Sequence, residues 1–233
     1  MEPSGIGDWG GDWPPGPPPD VPLPPDVLPE VPHQLDTLPD GRASVTIGDV
    51  SGLAEGVHQQ GDNPYGFQGT CGLCSCAGIL REFGFPVTEA DVVSHAIVNG
   101  ECVVDSDPAN SGGTTPDMQV RLLADYGIPA HVEQMDSLEE MADAIEQGRG
   151  AIIGANAGVL WNDASYYEYG QANHAVQVTG VARDPLSGAV QGFYINDTGT
   201  GQAGHFVDAD TVSAAWLDAG GTAVVTDIVR EVP

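Results

Sequence analysis

The sequence predicts an α+β fold: helices in the first part of the domain and a mostly antiparallel sheet in the second. Three observations predict it. Up to about residue 148, apolar residues recur at helical spacing between helix start and stop signals. From Ala151 they come instead in short runs and alternations. The turn Asp184-Pro185-Leu186-Ser187-Gly188 then joins two such runs as a hairpin. Helices followed by strands is the pattern of an α+β domain.

Residues 1–41 contain 12 of the 19 prolines, with Trp9 and Trp13 among Asp and Gly. Such a stretch buries too little apolar surface to offset ordering, so it is expected to be an extended or disordered tail. It reads as a spacer or as a segment that docks a partner. The folded domain is then 42–233, starting near Ala43, where Val45 and Ile47 alternate with polar residues. Residues 48–70, rich in Gly, Gln and Asn, read as loop. A helix follows from Gly72 to Phe83, with Ile79, Leu80 and Phe83 on one face and Gly84 as its stop.

Thr88-Glu89-Ala90-Asp91 resembles a capping box and opens a helix to about Val98, which Asn99-Gly100 ends. Residues 103–114 are an exposed loop. Thr115 as N-cap and Pro116 at N1 start a helix to about Tyr126. Ser137 opens another that ends at Gly148. Ala151–Ala155 is a short apolar strand, and 158–173 a loop with Trp161, Tyr166, Tyr167, Tyr169 and Asn173. His174–Ala182 and Val190–Asn196 form the hairpin. A Gly/Thr loop, a helix over 210–217 and a strand over 222–229 complete the chain.

The 233 residues include 34 acidic and only 6 basic side chains, for a net charge of −28. That balance disfavours nucleic acid and anionic membranes as partners. No apolar run reaches membrane-spanning length and no secretory signal is visible. A soluble protein is expected, cytoplasmic or exported without a recognisable signal. Four cysteines in a chain this long do not make a disulfide scaffold. Three of them, Cys71, Cys74 and Cys76, cluster within six residues. The spacing lacks the second Cys or His pair of a structural zinc site. A disulfide between Cys76 and Cys102 is a further reading. No cofactor is expected.

A thiol at a helix start has free N–H groups and a positive dipole end that favour thiolate. Thiol catalysis also needs a His in reach, a group to orient it, and donors for a developing oxyanion. His174 opens an apolar strand. Asn196 and Asp197 end the partner strand of the same hairpin, at the same end of the sheet. Gln68 precedes the cysteine turn.

Gln68-Gly69-Thr70-Cys71-Gly72-Leu73-Cys74, Asn173-His174-Ala175-Val176 and Tyr194-Ile195-Asn196-Asp197 with its Gly/Thr tail resemble the cysteine, histidine and asparagine motifs of papain-like cysteine peptidases. They also resemble the bacterial branch of that superfamily, the double-glycine leader peptidases and their stand-alone relatives. The resemblance covers about residues 60–200 and implies a papain-like fold, with the central helix packed on the sheet. It implies a cysteine peptidase acting on a peptide or protein, including an effector or toxin of that type. Deamidation, acyl transfer or a non-catalytic adaptor of the same fold are its alternatives. In the bacterial register Cys71 is the nucleophile and Asp197 orients His174. In the papain register these roles fall to Cys74 and Asn196. Gln68 is the oxyanion donor of the papain register. The bacterial register places that glutamine farther upstream, with Gln59 or Gln60 as substitutes.

Overall fold

The computed structural model describes residues 31–230. The proline-rich tail through residue 30 lies outside the described residues. Eight strands pair antiparallel throughout. They are β1 (His33–Thr37), β2 (Ala43–Ile47), β3 (Ala130–Gln134), β4 (Arg149–Ala155), β5 (His174–Arg183), β6 (Val190–Asp197), β7 (Gln202–Asp208) and β8 (Thr222–Val229). The order β1-β2-β5-β4-β8-β3 runs along one path, and β6 and β7 extend from the other edge of β5. β5 is therefore the centre. Its first half pairs with β4, its last residues with β2, and most of its length with β6.

Helices cover both faces. α1 (Val50–Leu53) is a single turn. α2 (Cys71–Glu82), α3 (Glu89–Asn99) and α4 (Pro116–Asp125) pack on one face. There Leu73, Ile79 and Leu80 meet Val92, Leu122 and Leu123, together with Ile152, Ala175 and Val224 from the sheet. α5 (Leu138–Glu146) and the π-helical turn Ser213–Leu217 pack on the other face. There Met141, Ile145 and Trp216 meet Ile153, Val176, Phe193 and Val225. α6 (Ala157–Leu160) and α7 (Ala209–Val212) are single turns at its edge. Neighbours in sequence such as Ile152 and Ile153 fall in opposite cores, as the two-residue period of a strand requires.

The local signals act as read. Thr88 and Asp91 form a reciprocal capping box, Thr115 caps α4 ahead of Pro116, and Ser137 caps α5. Three strands depart from the expectation, all at sheet edges. β1 lies within the residues assigned to the tail, so the sheet begins upstream of Ala43. β3 falls among the helices, and β7 follows directly on the Gly/Thr loop after Asp197. β1 and β3 bury no residue and β7 only Val207, so their largely polar sequences show no alternation to read. The helices thus interleave with strands instead of all preceding them.

Candidate active site

α2 enters the core by its small residues. A Cβ on Gly72 would sit 2.0 Å from Thr114 Oγ1, and one on Gly78 would sit 2.2 Å from Gln177 Oε1. Glycine at both positions lets the helix lie close on α4 and β5, which sets the depth of Cys71 at its first turn. Cys71 is half-buried in the wall of a cleft of about 500 Å³. His174, Gln60, Thr114, Gln119 and Trp161 also line this cleft.

The β5–β6 hairpin supplies the facing wall. Gln177 lies opposite Asn196, so the register brings the end of β6 beside the start of β5. Asn196 and Asp197 are consecutive in a strand and point to opposite faces. Asn196 turns toward α2, donating to Leu53 O at 2.7 Å and Gln177 Oε1 at 3.0 Å. Asp197 turns to His174, accepting from Nε2 at 2.8 Å. Both members of this pair are buried. With Nε2 engaged, Nδ1 is the ring nitrogen left over, and Cys71 lines the same cleft as the imidazole.

The electrostatics follow from these contacts. Burial alone would push the Cys71 thiol up. The hydrogen bond and charge of His174, with the N–H groups of Ala175 and Gly72, outweigh it and hold the thiol below its ordinary value. Burial alone would lower His174. Hydrogen bonds to Asp197 and Cys71 reverse this and raise it to about 9. Burial opposes the charge on Asp197, but His174, the Trp161 indole and the Gly199 N–H keep it ionised. All three shifts favour the charged forms: thiolate, imidazolium and carboxylate.

Cys74, one helical turn further on, has the opposite environment. It is buried, and desolvation and the charge of Glu89 push its thiol up. It offers its proton to Thr70 Oγ1 at 3.9 Å. The structure thus brings Cys71, His174 and Asp197 together, and places Cys74 and Asn196 outside the cluster. Gln68 is exposed, donates to its own loop at Gly66 O (3.2 Å) and does not line the cleft. Its backbone carbonyl instead anchors Gln60, whose Nε2 donates to it at 2.7 Å. Gln60 also accepts from Thr198 Oγ1 at 3.3 Å, which ties the cysteine loop to the end of β6.

Two residues that the motifs did not single out shape the site. Trp161 Nε1 donates to Asp197 Oδ2 at 2.6 Å, and its ring packs 5.0 Å from the imidazole of His174. Gly199 makes room, since a Cβ there would lie 2.5 Å from the indole and 2.9 Å from His174. The only sequence signal for Trp161 is a large aromatic residue in the loop before the histidine. The other is Glu89, buried at the start of α3. Its carboxylate accepts from Thr70 Oγ1 (2.7 Å), Asn63 Nδ2 (2.9 Å), Gly61 N (2.9 Å), Asp62 N (3.1 Å) and His58 Nε2 (2.9 Å). It gathers the loop that leads into Cys71. Its sequence context shows only an acid in the first turn of a capped helix.

The cysteines do not converge on a metal. All four are free, and no cluster of three metal-ligating groups among the described residues contains Cys71, Cys76 or Cys102. No described helix is long and apolar enough to cross a membrane.

Comparison with known proteins agrees with this architecture. The chain matches no family model and no curated protein. Among solved structures it is similar to a C39-like peptidase from Bacillus anthracis, at 18% identity and a TM-score of 0.53, over 76% of this chain and 97% of that one. A second similar structure is a double-glycine motif protease from an AMS/PCAT transporter in complex with the leader peptide. There identity is 16% and the TM-score 0.42, over 68% of this chain and 84% of that one. The first likeness establishes the fold. It is the α+β, papain-like fold of a C39-like peptidase, with helices on a mostly antiparallel sheet.

Proposed function

We propose that this chain is a cysteine peptidase in which Cys71 is the nucleophile, His174 the general base and acid, and Asp197 the group that orients His174. The observation that carries the reading is the His174–Asp197 pair, joined at 2.8 Å, beside Cys71 at the wall of an open cleft. The peptidase fold adds support at the level of architecture.

In this reading the Cys71 thiolate attacks the carbonyl carbon of a peptide bond, and the electron pair moves to the carbonyl oxygen. The first-turn N–H groups of α2 and the Gln60 amide are the nearby donors for that oxyanion, so Gln60 takes the part first assigned to Gln68. As the intermediate collapses, the imidazolium of His174 gives its proton to the departing amine, leaving a thioester on Cys71. Neutral His174 then takes a proton from water. The resulting hydroxide attacks the thioester carbonyl, the C–S bond breaks to release the acid and the Cys71 thiolate, and His174 keeps the proton taken from water, which restores the ion pair. Asp197 keeps the ring oriented and stabilises its charged form through both steps.

The test is stoichiometric labelling of the native chain with a peptide-like electrophile, read by intact mass and peptide mapping. One adduct on Cys71 is expected, at a rate well above that of a free thiol. Cys71→Ala should abolish it and Cys74→Ala should leave it. Labelling of Cys74 instead, or no rate advantage over free thiol at Cys71, overturns the proposal. The second outcome points to the non-catalytic adaptor.

A further inference from the structure

Two groups outside the catalytic series each bring three metal-ligating atoms within 4.8 Å of one another: His58, Cys74 and Glu89, and His95, Glu101 and Asp125. The first is satisfied without an ion. Both oxygens of Glu89 are occupied by five hydrogen bonds, and Cys74 holds its proton. The second is unsatisfied. Glu101 is 3% exposed, and its Oε2 has no hydrogen-bond partner among the described residues. A buried carboxylate oxygen without a donor carries its full desolvation cost. It faces a second carboxylate, Asp125, across a single imidazole.

We propose that His95, Glu101 and Asp125 form a binding site for a divalent transition-metal ion of the zinc class. The ion would staple the end of α3 to the end of α4. His95 Nε2 lies 2.9 Å from Asp125 Oδ2 and 3.8 Å from Glu101 Oε2. Ligands about 2.0–2.2 Å from a tetrahedral ion stand about 3.3–3.6 Å apart, so shifts of under about 1 Å close the site. Asp125 is half-exposed and can make them. The imidazole selects zinc-like ions over magnesium or calcium, which take oxygen ligands. Three protein ligands leave a fourth position for water on the Asp125 side.

The supporting contacts suit this role. The Tyr126 ring packs 4.9 Å from the imidazole and fixes its plane. Asn99 Nδ2 sits 2.9 Å from His95 Nε2 and also donates to His95 O at 3.1 Å. The ion replaces the first contact and leaves the second. The two carboxylates and the ion exchange mutual repulsion for attraction, so the site costs stability when empty and adds it when filled.

The full chain carrying Cys71→Ala, stripped with chelator, tests the site without competition from the reactive thiol. The expected result with zinc chloride is one ion bound per chain by calorimetry and a melting midpoint raised by several degrees at saturation. Cobalt(II) should bind with no thiolate charge-transfer band. Glu101→Gln should lose the zinc-induced shift and, metal-free, be at least as stable as its parent. Asp125→Asn, at an exposed position, should weaken binding by roughly tenfold or more even if the Glu101 variant fails to fold. Absence of saturable binding, a thiolate band with cobalt, or zinc binding unchanged in Asp125→Asn overturns the proposal. None of these readouts depends on the peptidase reading.

Discussion

The two walls of the cleft reach the same precision by different physics. On the sheet side, His174 and Asp197 are placed by the register of one hairpin, then sealed by one indole. On the helix side, Cys71 stands at the end of a loop with little regular structure, and that loop gathers chiefly on one buried carboxylate, Glu89, which accepts four of its hydrogen bonds. A ladder spreads its constraint over many backbone hydrogen bonds. A hub concentrates it in one side chain. The sheet wall should therefore fail only where its functional groups are cut, whereas the helix wall should fail wherever its hub is touched.

The largest effect expected is on the sheet wall itself. Asp197→Ala removes the acceptor that orients and charges His174. It should lower kcat/KM by about 10²–10⁴-fold while the chain stays folded. Asn196→Ala, one residue away, should lower stability by about 1–3 kcal/mol, because Gln177 and the Gly204 N–H lose a buried partner, and leave the chemistry near normal. Paired kinetics and urea unfolding check this. The opposite pattern, activity lost with Asn196 and kept without Asp197, would break the comparison and restore the papain register.

A smaller effect is expected on the helix wall. Glu89→Gln presents an NH₂ group to donors that met an oxygen, so both folding and placement suffer. Each orphaned donor costs about 1–3 kcal/mol. A shift of Cys71 by about 1 Å costs about a hundredfold in kcat. The rate of Cys71 alkylation should fall with it. The wild type should show the same weakness in acid. Burial works against the charge on Glu89, but hydrogen bonds from Thr70, Asn63, Gly61 and His58 hold its pKa below the ordinary 4.5. Its stabilisation is thus present above 4.5 and lost as the pH falls through the lowered folded value. If Glu89→Gln alkylates at the wild-type rate, the hub is a stability device only.

The same contrast explains what the sequence reveals. The hairpin, its turn and the residues at its open end are local, so His174, Asn196 and Asp197 can be read as neighbours from spacing alone. The bacterial register already favours Asp197 over Asn196; which of the two meets His174 depends on the phase of the strand relative to the face packed on α2, and the register turns Asn196 to that face. Cys71 is legible as the first residue of a helix with a small-residue approach to its neighbours. Gln60 is offered by the resemblance only as one of two glutamines, and Glu89 is not legible, since its role comes from a loop folding back across 28 residues to its carboxylate, a contact with no periodicity. Trp161 is hidden in the same way. Its partner Asp197 is 36 residues further on, and a loop tryptophan has no spacing rule. The edge strands β1, β3 and β7 are hidden for a different reason, because pairing on one side only leaves their composition free.

The finest test of the sheet wall is its pH limb. His174 is raised from 6.5 to about 9, so the imidazolium and the stability it adds are fully present below 6.5 and lost as the pH rises through about 9. Cys71 is lowered, so its thiolate persists to lower pH than that of an ordinary cysteine and is lost as the pH falls through the lowered value. The thiolate–imidazolium pair and the activity it supports should span that window, with a basic limb near 9. Trp161→Phe keeps a ring over His174 but deletes the indole N–H on Asp197 and thins the cover of the pair. Water then screens the attraction that raises His174. The basic limb should move down toward 6.5 by about one unit, with kcat/KM at pH 7 reduced about tenfold or less. A limb that stays in place while activity falls would mean that Trp161 acts on substrate and not on the charge of the pair. The sheet wall would then need no seal beyond its ladder.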